Sequence, residues 1–318
     1  MSATMRWEPI KLGDYLAALP VRRRRLRFRV EGDLPVPAFR GALWHAVLGP
    51  ALKAEVCTVP PGVCSGCWRR AECPYPRVME SRPEAPSNAP LATLARIPRP
   101  LALDTAPWRA QRLETGGDLE VGLMLIDATG DLMQALTRAL ATAGRRGLGR
   151  RRVSASLEGW TDAPPTVASD DMSPMLTPSA SLRLRMLTPL RLKREGRYLM
   201  EFDPVALARD IGLRVAALGH YHGGLPWPAP WREVAAEAGA LTVSRCRLRW
   251  ANAPRFSRGQ DRTIVLGGLL GDVEVRSVGP ALARLLAAAT VLHAGKATAL
   301  GFGQLALEAV AGDKEETA

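Results

Sequence analysis

Four of the five cysteines lie close together, with the spacing Cys57-x6-Cys64-x2-Cys67-x5-Cys73. In a reducing compartment such a cluster is explained better by a metal ion than by two disulfides. Four thiolates complete a tetrahedral site and close a loop that is too short to have a core of its own. The spacing therefore predicts a structural zinc site at Cys57, Cys64, Cys67 and Cys73. An iron-sulfur cluster, or no metal, remains as an alternative.

The chain has four histidines, the residue type best suited to proton transfer at neutral pH: His45, His220, His222 and His293. It has no HExxH or GxSxG motif and no acidic cluster that could hold two magnesium ions, so metal-dependent phosphoryl chemistry has little support. RNA cleavage without a metal needs only a base, an acid and cations around the phosphate. We predict that His45 is catalytic, because helical spacing places it opposite the apolar face of its helix. His293 is a second candidate.

Lys and Arg number 43 against 31 Asp and Glu, which gives a net charge of +12. This surplus favours a polyanionic partner, nucleic acid before an anionic membrane. Arg25, Arg27 and Arg29 alternate with apolar residues in one segment, and Arg183 and Arg185 do so in a second. Each segment predicts a β-strand with one buried face and one cationic face that contacts RNA. A merely solvated face is the alternative.

Two glycine loops follow leucine-rich segments, one around Gly147 and Gly149 and one over 295–303. Backbone amides in such loops bind phosphates when they point into one concavity. The second loop lacks the first glycine of a P-loop, so a nucleotide triphosphatase is disfavoured. The RNA contacts predicted in these loops are Arg150, Gly295, Lys296, Gly301 and Gly303. A helix C-cap followed by a tight turn is the alternative.

A polar segment precedes a glycine-punctuated apolar strand near position 260. It contains Arg255, Ser257, Arg258 and Gln260, which suit contacts to phosphates, 2'-hydroxyls and base edges. We predict that these four residues bind RNA. A polar entry to a hairpin is the alternative.

Several features recur along the chain in the same order, and the two Gly-x-Gly pairs lie 154 residues apart (301 minus 147). Each half reads as strand, helix, middle strands, helix, glycine loop and strand, which predicts an α+β fold of two tandem ferredoxin-like βαββαβ domains. We predict domains at 1–161, with the cysteine loop inserted, and at 181–318. The segment 162–180, rich in Pro, Ser and Asp, is the predicted linker.

The helices and strands within this plan follow from periodicity and capping. The first helix is predicted from Phe39 to Ala46, with Gly49-Pro50 bending or ending it, and Asp203 is predicted to cap another. A strand is predicted from Arg152 to Leu157. The chain has no apolar stretch long enough to cross a membrane and no apolar leader at its start, so we predict a cytoplasmic protein.

In their joint order these segments resemble the CRISPR-associated precursor-crRNA processing endoribonucleases of the RAMP superfamily, particularly the branch with a cysteine cluster in the first half. The resemblance spans nearly the whole chain. The matching stretches are Phe39–Leu43, Cys73–Tyr75, Gly147–Arg150, Thr188–Lys193, Arg255–Arg258 with Gln260 and Gly267-Gly268, and His293–Lys296 through Gly301–Gly303.

The resemblance implies a metal-independent cut in CRISPR repeat RNA that leaves a 2',3'-cyclic phosphate and a 5'-hydroxyl, with the product retained for an effector complex. It points to His45 as the catalytic histidine, with Lys53 as an electrostatic partner, and to RNA contact by the loop over 295–303. Other CRISPR effector subunits are implied as partners. A non-catalytic RAMP-type crRNA-binding subunit is the alternative function. A zinc-stapled protein that binds DNA or a membrane surface is the third.

Overall fold

The computed structural model describes residues 9–59, 64–80, 97–164, 180–257 and 262–310. The elements of the first half are α1 (Leu12–Ala17), β1 (Val21–Val30), β2 (Leu34–Val36), α2 (Arg40–Val56), α3 (Pro74–Met79), β3 (Leu101–Asp104), β4 (Gln111–Leu113), β5 (Asp118–Ile126), α4 (Asp131–Arg146) and β6 (Ala155–Ala163). Those of the second half are β7 (Ala180–Leu190), β8 (Lys193–Arg194), β9 (Arg197–Tyr198), α5 (Pro204–His222), α6 (Arg232–Ala240), β10 (Thr242–Ser257), β11 (Arg262–Val278), α7 (Pro280–Leu292) and β12 (Leu305–Ala309).

Each half builds one four-stranded antiparallel sheet with the same topology. The order is β3-β5-β1-β6 in the first half and β10-β11-β7-β12 in the second. In both, the first strand of the repeat lies beside the third and fourth, and the second strand is at the edge, as a βαββαβ chain requires. The predicted α+β fold with two tandem ferredoxin-like units is confirmed.

Apolar residues and arginines alternate along β1, so one face of the strand is buried and the other is exposed. Leu26, Phe28 and Val30 are fully buried, and the ring of Phe28 packs on Trp44 of α2, with centroids 4.9 Å apart. Arg25 and Arg27 point from the opposite face into solvent. Burial of the apolar row stabilises the strand and leaves the arginine row on the open face of the sheet.

Helix α2, which was predicted from Phe39 to Ala46, is longer than predicted. It begins at Arg40 and continues through Pro50 to Val56. Proline removes one helical hydrogen bond, but Leu48, Ala51 and Leu52 on either side are buried, so packing keeps the helix continuous. Of the two outcomes predicted at Gly49-Pro50, a bend or an end of the helix, the end is therefore wrong.

The strand predicted from Arg152 instead begins at Ala155. Leu148 and Val153 pair as an isolated bridge, and the tight turn between them includes Arg152 with φ of +52°. The cap at the start of α5 is confirmed, because Asp203 Oδ1 accepts a hydrogen bond from the Ala206 amide at 2.9 Å.

The two halves share buried surface in two places. Val21, Met124 and Ile126 on the open face of the first sheet belong to the same core as the helices of the second half. In a smaller cluster, Phe39 at the start of α2 packs on Phe302, with ring centroids 5.0 Å apart. The start of α2, strand β10 and the loop after α7 are thereby brought together.

The strands reach into both ends of the predicted linker, since β6 ends at Ala163 and β7 begins at Ala180. The rest of 162–180 lies outside the described residues. The boundaries 1–161 and 181–318 remain predictions. In the described part of the chain, no helix is long and apolar enough to span a membrane.

Candidate functional site

Helix α2 presents His45 toward the seam between the halves. Trp44 and Leu48, on its other side, are fully buried against the first sheet. At the start of the helix, a Cβ on Gly41 would collide with the backbone of Leu300, so glycine lets the helix approach the loop after α7. The side chain of His45 is fixed on a helix that is itself held between both halves.

His45 is half-buried, and its Nε2 lies 3.0 Å from Nη1 of Arg99. Arginine only donates hydrogen bonds, so Nε2 of His45 is the acceptor in this pair. Burial, then the positive charges of Arg99 and Arg255, lower the pKa of His45 from 6.5 to about 3. At neutral pH the imidazole is uncharged, which is the form that can take up a proton.

Arg255 reaches the same place from strand β10 of the second half. Its Nε is buried and has no hydrogen-bond partner among the described residues. Ala253, two positions earlier in β10, packs in the cluster around Phe39 at the start of α2. Two guanidinium groups from different halves thus lie near one imidazole, an arrangement that favours an anion between them.

Lys53 lies two turns after His45 on α2, and its Nζ is 5.5 Å from the centroid of the Tyr75 ring. Burial raises the pKa of Tyr75, while the charges of Lys53 and Arg99 act in the opposite direction. The structure therefore brings Lys53, predicted as an electrostatic partner, into one group with Arg99, Tyr75 and His45.

His293 has a different environment from the one predicted. Its side chain is fully buried, with Nε2 2.8 Å from Oδ1 of Asp104 and Nδ1 3.2 Å from the carbonyl oxygen of Phe302. Burial raises the pKa of Asp104, but the hydrogen bond and charge of His293, with Arg23 and Arg25, hold it below the usual value. Both ring nitrogens are occupied and the side chain joins the two halves, which favours a structural role, and a catalytic role for His293 stays a prediction.

The glycines of the loop over 295–303 are also buried. Gly295, Gly301 and Gly303 have φ of +78°, +82° and +67°, and a Cβ at Gly301 would collide with Thr105 in the first half. Their positions favour a tight turn and, at Gly301, a close approach between the halves, and their contact with RNA stays a prediction. Lys296 is exposed, and its Nζ is 2.9 Å from Oδ1 of Asp210.

The arginine row of β1 is exposed but partly paired. Arg25 lies 3.3 Å from Glu120, and Arg29 lies 3.6 Å from Asp118. Arg27 has no acidic partner among the described residues. Such exposed pairs contribute little to stability, so a phosphate can replace the carboxylates. Arg150, on the turn after α4, is exposed as well.

The arginine row of β7 is more fully compensated. Arg183 is 2.7 Å from Glu274, which also lies 3.6 Å from Arg245, and Arg185 is 2.9 Å from Glu308. These glutamates come from neighbouring strands, which the pattern within β7 could not reveal. Arg183 and Arg185 are thus more fully neutralised than the sequence indicates, and their contact with RNA stays a prediction.

A cleft of about 510 Å³ separates Trp108 of the first half from the second sheet. Arg247 and Arg249, both exposed, and Arg185 line it. Arg247 and Arg249 were missed in the sequence, although residues 245–249 alternate arginine with other residues as β1 does. A larger cavity of about 840 Å³, lined by α1 and the starts of β1 and α4, contains none of the predicted catalytic residues.

The four cysteines are free thiols in the structure: Cys57 is exposed, and Cys64, Cys67 and Cys73 are half-buried. In the described part of the chain no group of three or more Cys, His, Asp or Glu is placed to hold a metal ion. The zinc site and the cysteine-cluster branch remain predictions. Ser257 closes β10, whereas Arg258 and Gln260 lie outside the described residues.

Arg99 and Tyr75 were not predicted as site residues. Tyr75 follows the last cysteine, and Arg99 stands between two prolines in a segment that reads as an irregular loop. The sequence marks Arg99 only by the proline on each side of it. These prolines restrict the backbone, which could have indicated an arginine held in a fixed position.

Comparison with known proteins agrees with this architecture. Residues 184–305 match the family model of the CRISPR-associated endoribonuclease Cas6, and residues 19–176 match a model described as an N-terminal domain. No curated protein matches the chain.

Among solved structures, a Cas6 product complex is 20% identical over 91% of this chain and 100% of that one, with a TM-score of 0.55. Cas6 of Thermus thermophilus is 18% identical over 91% and 98%, with a TM-score of 0.52. A partial Cas6-RT-Cas1–Cas2 complex is 13% identical over 92% of this chain and 47% of that one, with a TM-score of 0.50. The second half of the chain therefore matches the CRISPR-associated endoribonuclease Cas6 family, and the fold of Cas6 structures extends over both halves.

Proposed function

We propose that this protein cuts CRISPR repeat RNA within precursor transcripts and needs no metal ion for the reaction. The observation that carries the proposal is the neutral imidazole of His45 beside Arg99 and Arg255. A neutral imidazole can take the proton of a 2'-hydroxyl, and two guanidinium groups can oppose the charge that develops on phosphorus.

In the proposed reaction, O2' bonds to phosphorus while its proton passes to His45. The bond between phosphorus and O5' breaks, and O5' takes a proton from water. The products are a 2',3'-cyclic phosphate and a 5'-hydroxyl, as for other metal-free cleavages by an internal 2'-oxygen. Lys53, near Tyr75, adds positive charge to the same side of α2.

The exposed arginines indicate where the RNA backbone lies. Arg27 and Arg150 belong to the first half, whereas Arg247 and Arg249 line the cleft beside Trp108. Phosphate contacts of this kind supply affinity that falls steeply with salt. Retention of the product and assembly with other CRISPR subunits are part of the proposal, supported by the product complex and the Cas1–Cas2 assembly among the similar structures.

The test is cleavage of cognate repeat RNA by the purified protein in EDTA. We expect one cut per repeat, no cut when the scissile nucleotide is 2'-deoxy, and no cut by His45→Ala although that variant binds RNA with unchanged affinity. Arg112→Gln, which removes an exposed arginine paired with Asp33, is the matched control and should cut normally.

Other results would overturn the proposal in distinct ways. If the wild type binds the RNA with a steep salt dependence but leaves it intact, the protein is a non-catalytic crRNA-binding subunit. If His45→Ala cuts as fast as the wild type, the site is elsewhere. Equal affinity for RNA, duplex DNA and anionic vesicles would indicate a general polyanion-binding protein.

A further inference from the structure

We infer that Arg99 covers the lone pair of His45 Nε2 in the free protein and leaves it for the scissile phosphate when RNA binds. The inference rests on the proposed function and adds to it the control of its catalytic base. In the structure the base and its cover are in direct contact, with Nη1 of Arg99 3.0 Å from Nε2 of His45.

The hydrogen bond has only one possible direction. The guanidinium has no acceptor, so Nε2 carries a lone pair and the proton of the neutral ring is on Nδ1. While Arg99 occupies this lone pair, Nε2 cannot receive the proton of a 2'-hydroxyl. A base that is blocked in this way becomes active only when Arg99 moves.

The charges around the ring determine what can move it. The charged groups that act on His45 are Arg99, from the segment before β3, and Arg255, from β10. Lys53 and Tyr75 lie farther along the same side of α2, beyond Arg99. No carboxylate is among the groups that shift the pKa of His45, whereas Glu80 acts on Tyr75 farther along the same side of α2. The charges that act on the His45 ring itself are therefore positive.

A phosphate supplies an anion beside the ring. It is negatively charged and can accept two parallel hydrogen bonds from one guanidinium, whereas the imidazole nitrogen is neutral and accepts one, so a phosphate outcompetes that nitrogen for Arg99. Arg255 offers a second, buried Nε without a partner among the described residues. When the phosphate lies between these two arginines, Nε2 is uncovered beside the reacting 2'-hydroxyl, and the base is released only where its substrate is present.

The first experiment needs no variant. The ¹⁵N shifts of the His45 ring in the free protein should show Nδ1 protonated and Nε2 unprotonated, and the ring should remain neutral down to about pH 4. Adding repeat RNA with a 2'-deoxy scissile nucleotide should shift the Nε2 signal. A ring protonated at Nε2 in the free protein, or an Nε2 signal unchanged by saturating RNA, would overturn the inference.

The second experiment uses Arg99→Gln and Arg99→Lys, with Arg112→Gln as the control. Removing the neighbouring positive charge should raise the pKa of His45 in Arg99→Gln, although burial still holds it below 6.5. Its single-turnover cleavage rate should fall by about 10²- to 10³-fold, as for loss of one group that stabilises transition-state charge. Arg99→Lys keeps the charge and should recover part of the rate.

The two proposals fail differently. If His45→Ala is inactive but Arg99→Gln cuts at the wild-type rate, the inference and the charge-stabilising role of Arg99 are wrong, whereas the proposed role of His45 stands. If His45→Ala is active, the proposed function of His45 is wrong. Thermal unfolding of each variant distinguishes these outcomes from loss of the fold, and the ring shifts of the wild type remain decisive if Arg99→Gln does not fold.

Discussion

The stability of this protein should fall in mild acid because two histidines are held neutral in the folded state. The pKa of His45 is about 3, through burial and the charges of Arg99 and Arg255. The pKa of His222 is about 4, mainly through burial, although Pro98 accepts a hydrogen bond from its Nε2 at 2.8 Å. In the unfolded chain both rings titrate near 6.5.

The direction in which stability changes with pH follows from which state, folded or unfolded, binds more protons. Below about pH 6.5 the unfolded chain takes up a proton at each ring and the folded protein does not, so acid favours unfolding. The contribution of each histidine is complete above pH 6.5 and is lost as the pH falls toward the folded value. Below about pH 6.5, each ring lowers the free energy of unfolding by about 1.4 kcal/mol per pH unit. Lowering the pH from 7.5 to 5 therefore lowers this free energy by about 2 kcal/mol per histidine and about 4 kcal/mol for the pair.

Urea unfolding measured at pH 7.5, 6.5, 5.5 and 5 tests this value, since most carboxylates titrate below about pH 5. The variants His45→Gln and His222→Gln should each lose about half of the pH dependence, and the double variant nearly all of it. If the free energy of unfolding of the wild type is the same at pH 7.5 and 5, or if the double variant keeps the full slope, the neutral state assigned to these rings is wrong.

Three further predictions concern the loop between the halves, the RNA surface and the cysteines. Gly301→Ala should lose at least about 1–2 kcal/mol, because alanine disfavours a φ of +82° and would collide with Thr105, whereas Gly239→Ala, in helix α6 with open space around its Cβ, should unfold at the same temperature or higher. Arg27→Ala should reduce the salt slope of RNA binding by about 1, while Arg183→Ala, paired with Glu274, should change it less; filter binding at several salt concentrations measures both. Elemental analysis should find one zinc per chain and none in Cys67→Ser, and an iron-type absorbance spectrum would contradict the zinc assignment.

Much of the fold could be predicted because its signals are local. The alternation around Phe28 and the helical spacing of the leucines after Asp131 report burial within one element. The repeat then supplied the order of elements, and one order of βαββαβ strands satisfies both sheets. The continuation of α2 through Pro50 could not be predicted, because packing on both sides of the proline outweighs one lost hydrogen bond.

The glycine loop shows how one pattern allows two interpretations. Glycines at 295, 301 and 303 are needed wherever the backbone has positive φ or something approaches closely. The sequence does not say whether that neighbour is RNA or the other half of the protein. In the structure the neighbour of Gly301 is Thr105 of the first half, whereas Gly295 and Gly303 approach the backbone of Arg191 and Ala294 in their own half. His293 also contacts the first half, through Asp104.

The sequence alone determined the repeat, the two sheets and the residue types suited to RNA, because periodicity and composition are properties of neighbouring residues. Only the tertiary structure decided which of these residues meet. Arg99 is 54 residues from His45 and Arg255 is in the other half, so their approach depends on how α2, the segment before β3 and β10 pack. Likewise, Glu274 and Glu308 neutralise arginines on β7 through strand pairing that no pattern within β7 records. Long-range packing of this kind brings together charges that local sequence cannot relate.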